Sequence, residues 1–190
     1  MIKLVYRRNI ESLRNILKGG EIMHIVLNAG HTLDGYGHGA VGYMDESKET
    51  RKVVKVLADH LQLKGHKVSV VNIDKATSQT AYLKQVIQGV NKIKCDLFLS
   101  IHFNAGKGQG TECYTWKGKK LSSAVGICEE LNKLGFRNRG VKDGSSLYVI
   151  KKTSMTAVLV EICFVDNLKD YELYKKLGVG KIAKAISQAF

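Results

Sequence analysis

Asp96-Leu97-Phe98-Leu99-Ser100-Ile101-His102 is a run of four large apolar residues interrupted by one serine and closed by a histidine. Apolar side chains at both odd and even positions predict a strand buried on both faces, as found in the middle of a parallel sheet. The segments around it fit that position. Thr80 to Asn91 predicts a helix whose apolar residues (Tyr82, Leu83, Val86, Ile87, Val90) recur at helical spacing. Further upstream, His24 to Leu27 reads as a strand, Glu46 to Lys64 as a helix stopped by Gly65, and Lys67 to Val71 as a second strand. Downstream come a strand at Thr111 to Trp116, a helix at Leu121 to Leu134, a short strand at Ser146 to Ile150, a strand at Ala157 to Ile162 and a closing helix at Leu168 to Phe190. This alternation predicts the α/β class: a single domain with a mostly parallel central sheet of about six strands flanked by helices.

Composition agrees. The chain has 190 residues, 44% hydrophobic and 25% charged, enough for one core that needs no disulfides. The four cysteines (Cys95, Cys113, Cys128, Cys163) form no C-x-x-C pair and predict free, mostly buried thiols, which fits synthesis in a reducing cytosol. Neither a run of about 20 apolar residues nor a secretory leader is present, so the expectation is a protein made in the cytoplasm with no membrane span. The formal charge of +13 favours polyanionic surroundings. No helix-turn-helix or aromatic-basic motif accompanies it, so a nucleic-acid partner is not expected.

Residues 1–22 form an N-terminal extension that reads as a short amphipathic helix ending at Gly19-Gly20, or as non-native sequence. Lys18 to Met23 can be encoded by a purine-rich stretch just ahead of an ATG, which would make Met23 the physiological start. The domain proper is therefore expected over residues 23–190. The extension supplies five basic and two acidic residues, or +3 of the +13, which leaves +10 for the body.

In open α/β sheets ligands bind beyond the carboxyl ends of the strands. His31 lies just past the first strand, His102 ends the central one, Glu161 is near the end of the last, and Glu46 opens a helix reached from the His31 loop. Two histidines and a carboxylate with an open fourth position have the composition of a catalytic zinc site, and a second carboxylate can serve as its base. Each residue also has a plainer reading: a loop histidine, a strand-capping histidine, or a helix-terminal charge at Glu46. Glu161 would be costly to bury unpaired among apolar neighbours, which favours a functional role.

The surrounding motifs carry a resemblance. Ile25-Val26-Leu27-Asn28-Ala29-Gly30-His31, Glu46 before a long helix, Ser100-Ile101-His102-Phe103-Asn104-Ala105, Gly110-Thr111-Glu112, Asn138-Arg139-Gly140-Val141-Lys142 and Ala157-Val158-Leu159-Val160-Glu161 appear in that order. The sequence from Met23 to Phe190 resembles the zinc-dependent N-acetylmuramoyl-L-alanine amidases of the amidase-3 type, found in phage endolysins and autolysins. That resemblance implies zinc ligands at His31, Glu46 and His102, and a catalytic carboxylate at Glu161. It further implies hydrolysis of the bond between N-acetylmuramic acid and L-alanine in peptidoglycan. The sequence departs from the family where Asn28-Ala29 replaces Asp-Pro, where Thr50 replaces an asparagine four residues after the ligand glutamate, and where Thr156 replaces a proline. The second departure leaves Glu49, one helical turn on, as a rival to Glu46.

Asn104, Asn138 and Arg139 are candidate substrate contacts, the last two from a loop where ordinary surface solvation is the equal alternative, and His38 in the glycine-rich segment reads by default as structural or surface, with substrate contact as its other reading. Cys163, two residues past Glu161, should share its strand face. The expected partners are peptidoglycan and anionic wall polymers, with the protein acting as a monomer at the cell wall. The competing functions are a zinc peptidase or deacylase on another substrate, and a non-catalytic cationic wall-binding module.

Overall fold

Six strands and five helices alternate along residues 21–190, the part of the chain that the computed structural model describes. The helix or non-native leader expected over the first twenty residues lies outside the described residues. In chain order the elements are β1 (His24–Ala29), α1 (Glu46–Leu63), β2 (Lys67–Val70), α2 (Gln79–Asn91), β3 (Leu97–Asn104), β4 (Thr111–Thr115), α3 (Ser122–Lys133), β5 (Asn138–Asp143), α4 (Tyr148–Lys152), β6 (Thr156–Phe164) and α5 (Leu168–Ser187).

They build one sheet in the order β2-β1-β3-β6-β4-β5. β1, β2, β3 and β6 run parallel, while β4 and β5 run parallel to each other and antiparallel to β6. The strongly apolar stretch read first is central, and every residue from Leu97 to Ile101 is buried. Because side chains alternate across a strand, its two sets of residues feed two cores. Leu97, Leu99 and Ile101 pack with α1, α3 and α5. Phe98 packs with Val26 and Leu159 under α2 and the short α4. Continuing along that second face toward the carboxyl ends of β1, β3 and β6, polar residues take over at Asn28, Ser100, His102 and Glu161.

One element differs from expectation. Tyr148-Val149-Ile150 lies in α4, not a strand, and buries Val149 and Ile150 in the second core. The sixth strand is instead β5, in the segment expected as a loop. As an edge strand it buries only Val141, so no alternation of apolar residues marks it in the sequence.

Candidate metal centre and active site

Gly30 and His31 follow β1 directly, and His31 adopts a left-handed backbone (φ 69°), uncommon for a residue with a side chain. Three groups hold it there. Gly30 N–H donates to the Ile101 carbonyl (2.8 Å), His31 N–H donates to the Tyr82 hydroxyl (2.6 Å), and Arg51 donates through Nη2 to the His31 carbonyl (2.8 Å). Burial raises the Tyr82 phenol to about 12, so it remains a neutral hydroxyl. Arg51 also bonds the Ser47 carbonyl and Asp74, which ties the His31 loop to α1 and to the segment after β2.

The imidazole of His31 faces Glu46 and His102. His31 Nε2 is 3.2 Å and His102 Nδ1 is 3.1 Å from Glu46 Oε1, and one ligand atom from each residue lies within 4.8 Å of the others. The far side of each ring fixes its tautomer. His31 Nδ1 donates to the Gly37 carbonyl (3.0 Å). Ser100 Oγ gives its proton to Asn28 Oδ1 (3.0 Å) and so accepts from His102 Nε2 (3.1 Å), while Asn28 Nδ2 donates to the Val71 carbonyl. Both inward-facing nitrogens are left as lone pairs aimed at a carboxylate oxygen.

Glu46 is buried at the first turn of α1, where Phe103 N–H donates to its Oε1 and Ala40 N–H to its Oε2. Burial alone would favour its acid form, but without a metal a proton on His102 or His31 outweighs that and keeps it strongly acidic. Burial also works to lower the pKa of both histidines; Glu46 reverses this at His31 and not at His102. Three lone-pair donors converging on one point repel one another unless a cation or proton lies between them. The two separations from Glu46 Oε1, 3.2 and 3.1 Å, match the roughly 3.3 Å between ligands each about 2 Å from a tetrahedral ion, and all three donor atoms lie within 4.8 Å of one another. The donor set therefore fits a divalent metal such as zinc. Two glycines make the approach possible. A Cβ on Gly30 would lie 2.3 Å from the His102 ring, and one on Gly39 would lie 2.7 Å from Glu46 Oε2.

Strand register sets a row of ionisable groups beside this cluster. His102 of β3 pairs with Glu161 of β6, which pairs with Glu112 of β4, so all three share the face of the sheet over which polar residues gather. The pair Oε2 of Glu161 and Oδ1 of Asp166 are the buried side-chain oxygens without a hydrogen-bond partner among the described residues. Burial, with Glu46 and Glu112 nearby, pushes the Glu161 carboxyl well above the usual range. A base held this way stays uncommitted to other groups, a pattern common in active sites.

Residues 25–190 match the model of a family described as N-acetylmuramoyl-L-alanine amidase. The chain belongs to this amidase family. It is 34% identical over 158 residues to the N-acetylmuramoyl-L-alanine amidase CwlM of Bacillus licheniformis, covering 81% of this chain and 61% of that protein. It is 31% identical to the endolysin of Bacillus phage SPP1, covering 79% of this chain and 58% of that one. Among solved structures, the catalytic domain of the CD27L endolysin targeting Clostridia Difficile superposes with a TM-score of 0.82 at 34% identity, over 88% of this chain and 96% of that domain. The chain spans about half the length of the first curated relatives it matches, 51% of an uncharacterised Clostridium perfringens protein among them.

Within the amidase family's pattern, two of the three departures noted in the sequence have structural replacements. Asn28 supplies the oxygen that orients Ser100 and through it His102, and Thr50 Oγ1 donates to the Gly30 carbonyl from inside α1. Glu49 does not reach the cluster; Tyr174 and Lys52 bond its carboxylate. His38 is tied to Asp45 (3.4 Å) and to the Gly39 carbonyl, and so braces the loop.

Asn104 donates to Glu112 Oε1 (2.8 Å). Arg139 donates through Nε to Glu112 Oε2 (2.6 Å), while exposed Asn138 accepts from Gly140 N–H within its own strand. Cys163 does not share the Glu161 face as expected. Between His102 and Asn104 the register with β6 slips, so Glu161 and Phe164 rather than Glu161 and Cys163 are the successive partners. That bulge turns Cys163 into the first core and brings Phe164 to the site. All four cysteines are free thiols.

Glu112, Tyr82 and Arg51 are the residues that sequence reasoning did not single out as parts of the site. Glu112 lies near the start of β4, which runs antiparallel to β6, so looking at carboxyl ends passes over it. Tyr82 reads as an apolar helix position and Arg51 falls in a predicted helix with no motif to mark it, so only their tertiary contacts distinguish them.

Proposed function

We propose that this chain hydrolyses the amide between N-acetylmuramic acid and the L-alanine of the stem peptide in bacterial peptidoglycan, with His31, Glu46 and His102 holding a zinc ion and Glu161 as acid/base. The observation that supports this most is the convergence of three lone-pair ligands beside the unpartnered Oε2 of Glu161. A zinc ion would supply Lewis acidity toward the scissile carbonyl and toward water.

The protein groups divide the remaining work by their surroundings. Glu46 is buried with its Oε1 turned to both histidine nitrogens, so it serves as a ligand and not as a base. Glu161, with its raised affinity for a proton, takes the proton of the attacking water and returns it to the leaving amine. Glu112 is engaged by three donors and does not compete for that proton. Asn104 and Asn138 are proposed to line the path of the wall polymer. The four reacting groups come from one chain, which therefore needs no partner copy. Family membership supports a substrate in the cell wall, and the positive charge favours anionic polymers as further partners.

Digestion of purified peptidoglycan tests the reading. New L-alanine amino termini should appear, fall in a chelator, return with zinc, and be absent with Glu161→Gln despite retained zinc. Lysis by Glu161→Gln near the wild-type rate would exclude the assignment of the base, and release of other termini would indicate a peptidase. Adhesion to walls with no bond cleaved would indicate a binding module.

A further inference from the structure

Arg139 is anchored but not saturated. Its Nε donates to Glu112 Oε2 at 2.6 Å, and its guanidinium lies 5.2 Å from the centroid of the Phe164 ring. The terminal nitrogens Nη1 and Nη2 donate to no other group among the described residues, and about a third of the side chain (32%) is exposed. Beneath it, Glu112 is 3% exposed and is further bonded by Asn104 Nδ2 and by the Tyr114 hydroxyl (2.9 Å). A pair that served only to neutralise Glu112 would use the two-point fork that arginine offers a carboxylate. Here one nitrogen makes the bond while the opposite edge of the fork stays free.

Register places that free edge. Glu112 pairs with Glu161 across β4 and β6, and Thr111 and Cys113 on either side of Glu112 pair with Asn138 and Val141 of β5. His102, Glu161, Glu112 and Arg139 therefore lie in a row across four adjacent strands. Glu161 and Arg139 are two strands apart, about 10 Å at the usual spacing. Because Arg139 Nε reaches back to Glu112 Oε2, the guanidinium stands nearer one strand spacing than two from Glu161, a span that an extended peptide covers in about two residues. A peptide that is cut beside Glu161 and runs toward β5 would bring the residue past L-alanine to the guanidinium.

We propose that Arg139, positioned by Glu112 and Phe164, is a binding site for a free carboxylate on the stem peptide, borne by the residue that follows L-alanine. The site selects a carboxylate over the corresponding carboxamide, and Glu112 acts as a positioning residue. This rests on the amidase reading for the direction of the peptide.

The test uses two synthetic muramoyl peptides that differ only in whether that residue carries a carboxylate or a carboxamide. Their affinities are measured by calorimetry on zinc-loaded Glu161→Gln protein, which binds without turnover. The carboxylate peptide should bind roughly 10- to 100-fold more tightly, as expected for a charge-assisted hydrogen bond. Adding Arg139→Gln should remove the preference, bringing the two peptides to affinities within about twofold of each other. Arg139→Lys keeps the charge beside Glu112, guarding against a defect of folding, and should retain only part of the preference. Equal affinity for the two peptides, no binding of either, or a preference that survives Arg139→Gln would overturn the proposal. Failure of the wild type to release L-alanine termini would instead count against the amidase reading and leave the binding preference legible.

Discussion

At the scale of single residues the site is built from close approaches that leave no slack. Gly30 is one of them, since any side chain there meets the His102 ring within 2.5 Å. Gly30→Ala is expected to displace that ring, weaken zinc binding by roughly 10- to 100-fold and cost about 1–3 kcal/mol of stability, measurable by metal titration and thermal melting. Glu161 leads to a prediction of opposite sign. Its carboxyl is buried near Glu46 and Glu112 and has a folded pKa above its unfolded value. The folded state thus binds the extra proton, and stability falls as pH rises from about 4.5 through the folded pKa. In metal-free protein kept in chelator, Glu161→Gln should therefore be more stable than wild type at pH 7–8. The gain should be on the order of 1–3 kcal/mol and should vanish below about pH 4.5. A loss of stability at neutral pH would mean that the carboxylate is better solvated than its surroundings indicate.

At the scale of elements, β6 and the start of α5 are joined by one side chain. Asp170 is 1% exposed, and its Oδ2 accepts from Gly110 N–H (2.8 Å) and Phe164 N–H (2.9 Å). Asp170→Ala would leave two buried donors unmatched just beyond the β6 bulge. It should cost roughly 2–4 kcal/mol, read as a lower urea midpoint with unchanged slope. The same region shows what local sequence can convey. β3 was legible because five consecutive buried residues leave a pattern, and His31, His102 and Glu161 because they follow or end apolar strands. β5 was not, since an edge strand with one buried residue resembles a loop, while Tyr148-Val149-Ile150 resembles a strand though it packs equally well as a helical turn. Nor was the bulge, because register is decided between strands and not within one. Its result, Phe164 beside Arg139 and Cys163 in the core, could only come from the pairing of β3 with β6.

At the scale of the whole molecule, the charge of +13 bears on how the chain meets a wall. Among the described residues, no helix is long and apolar enough to cross a membrane. The site row lies at the ends of β3 and β6, whereas Trp116, Lys119 and Lys151 line a cleft of about 370 Å³ at the opposite end of the sheet, beside Thr115 and Thr156. Positive charge spread over both ends acts on a polyanionic surface as a whole and adds little to one bond at Glu161. Salt should therefore separate adsorption from chemistry. Raising ionic strength from about 0.05 to 0.5 M shortens the screening length from roughly 14 to 4 Å. Co-sedimentation with intact walls should fall severalfold over that range, while cleavage of a small, uncharged muramoyl-alanine substrate should change by less than about twofold. If sedimentation is indifferent to salt, the surplus charge has no part in wall attraction. If both activities fall together, the charge acts at the catalytic site itself.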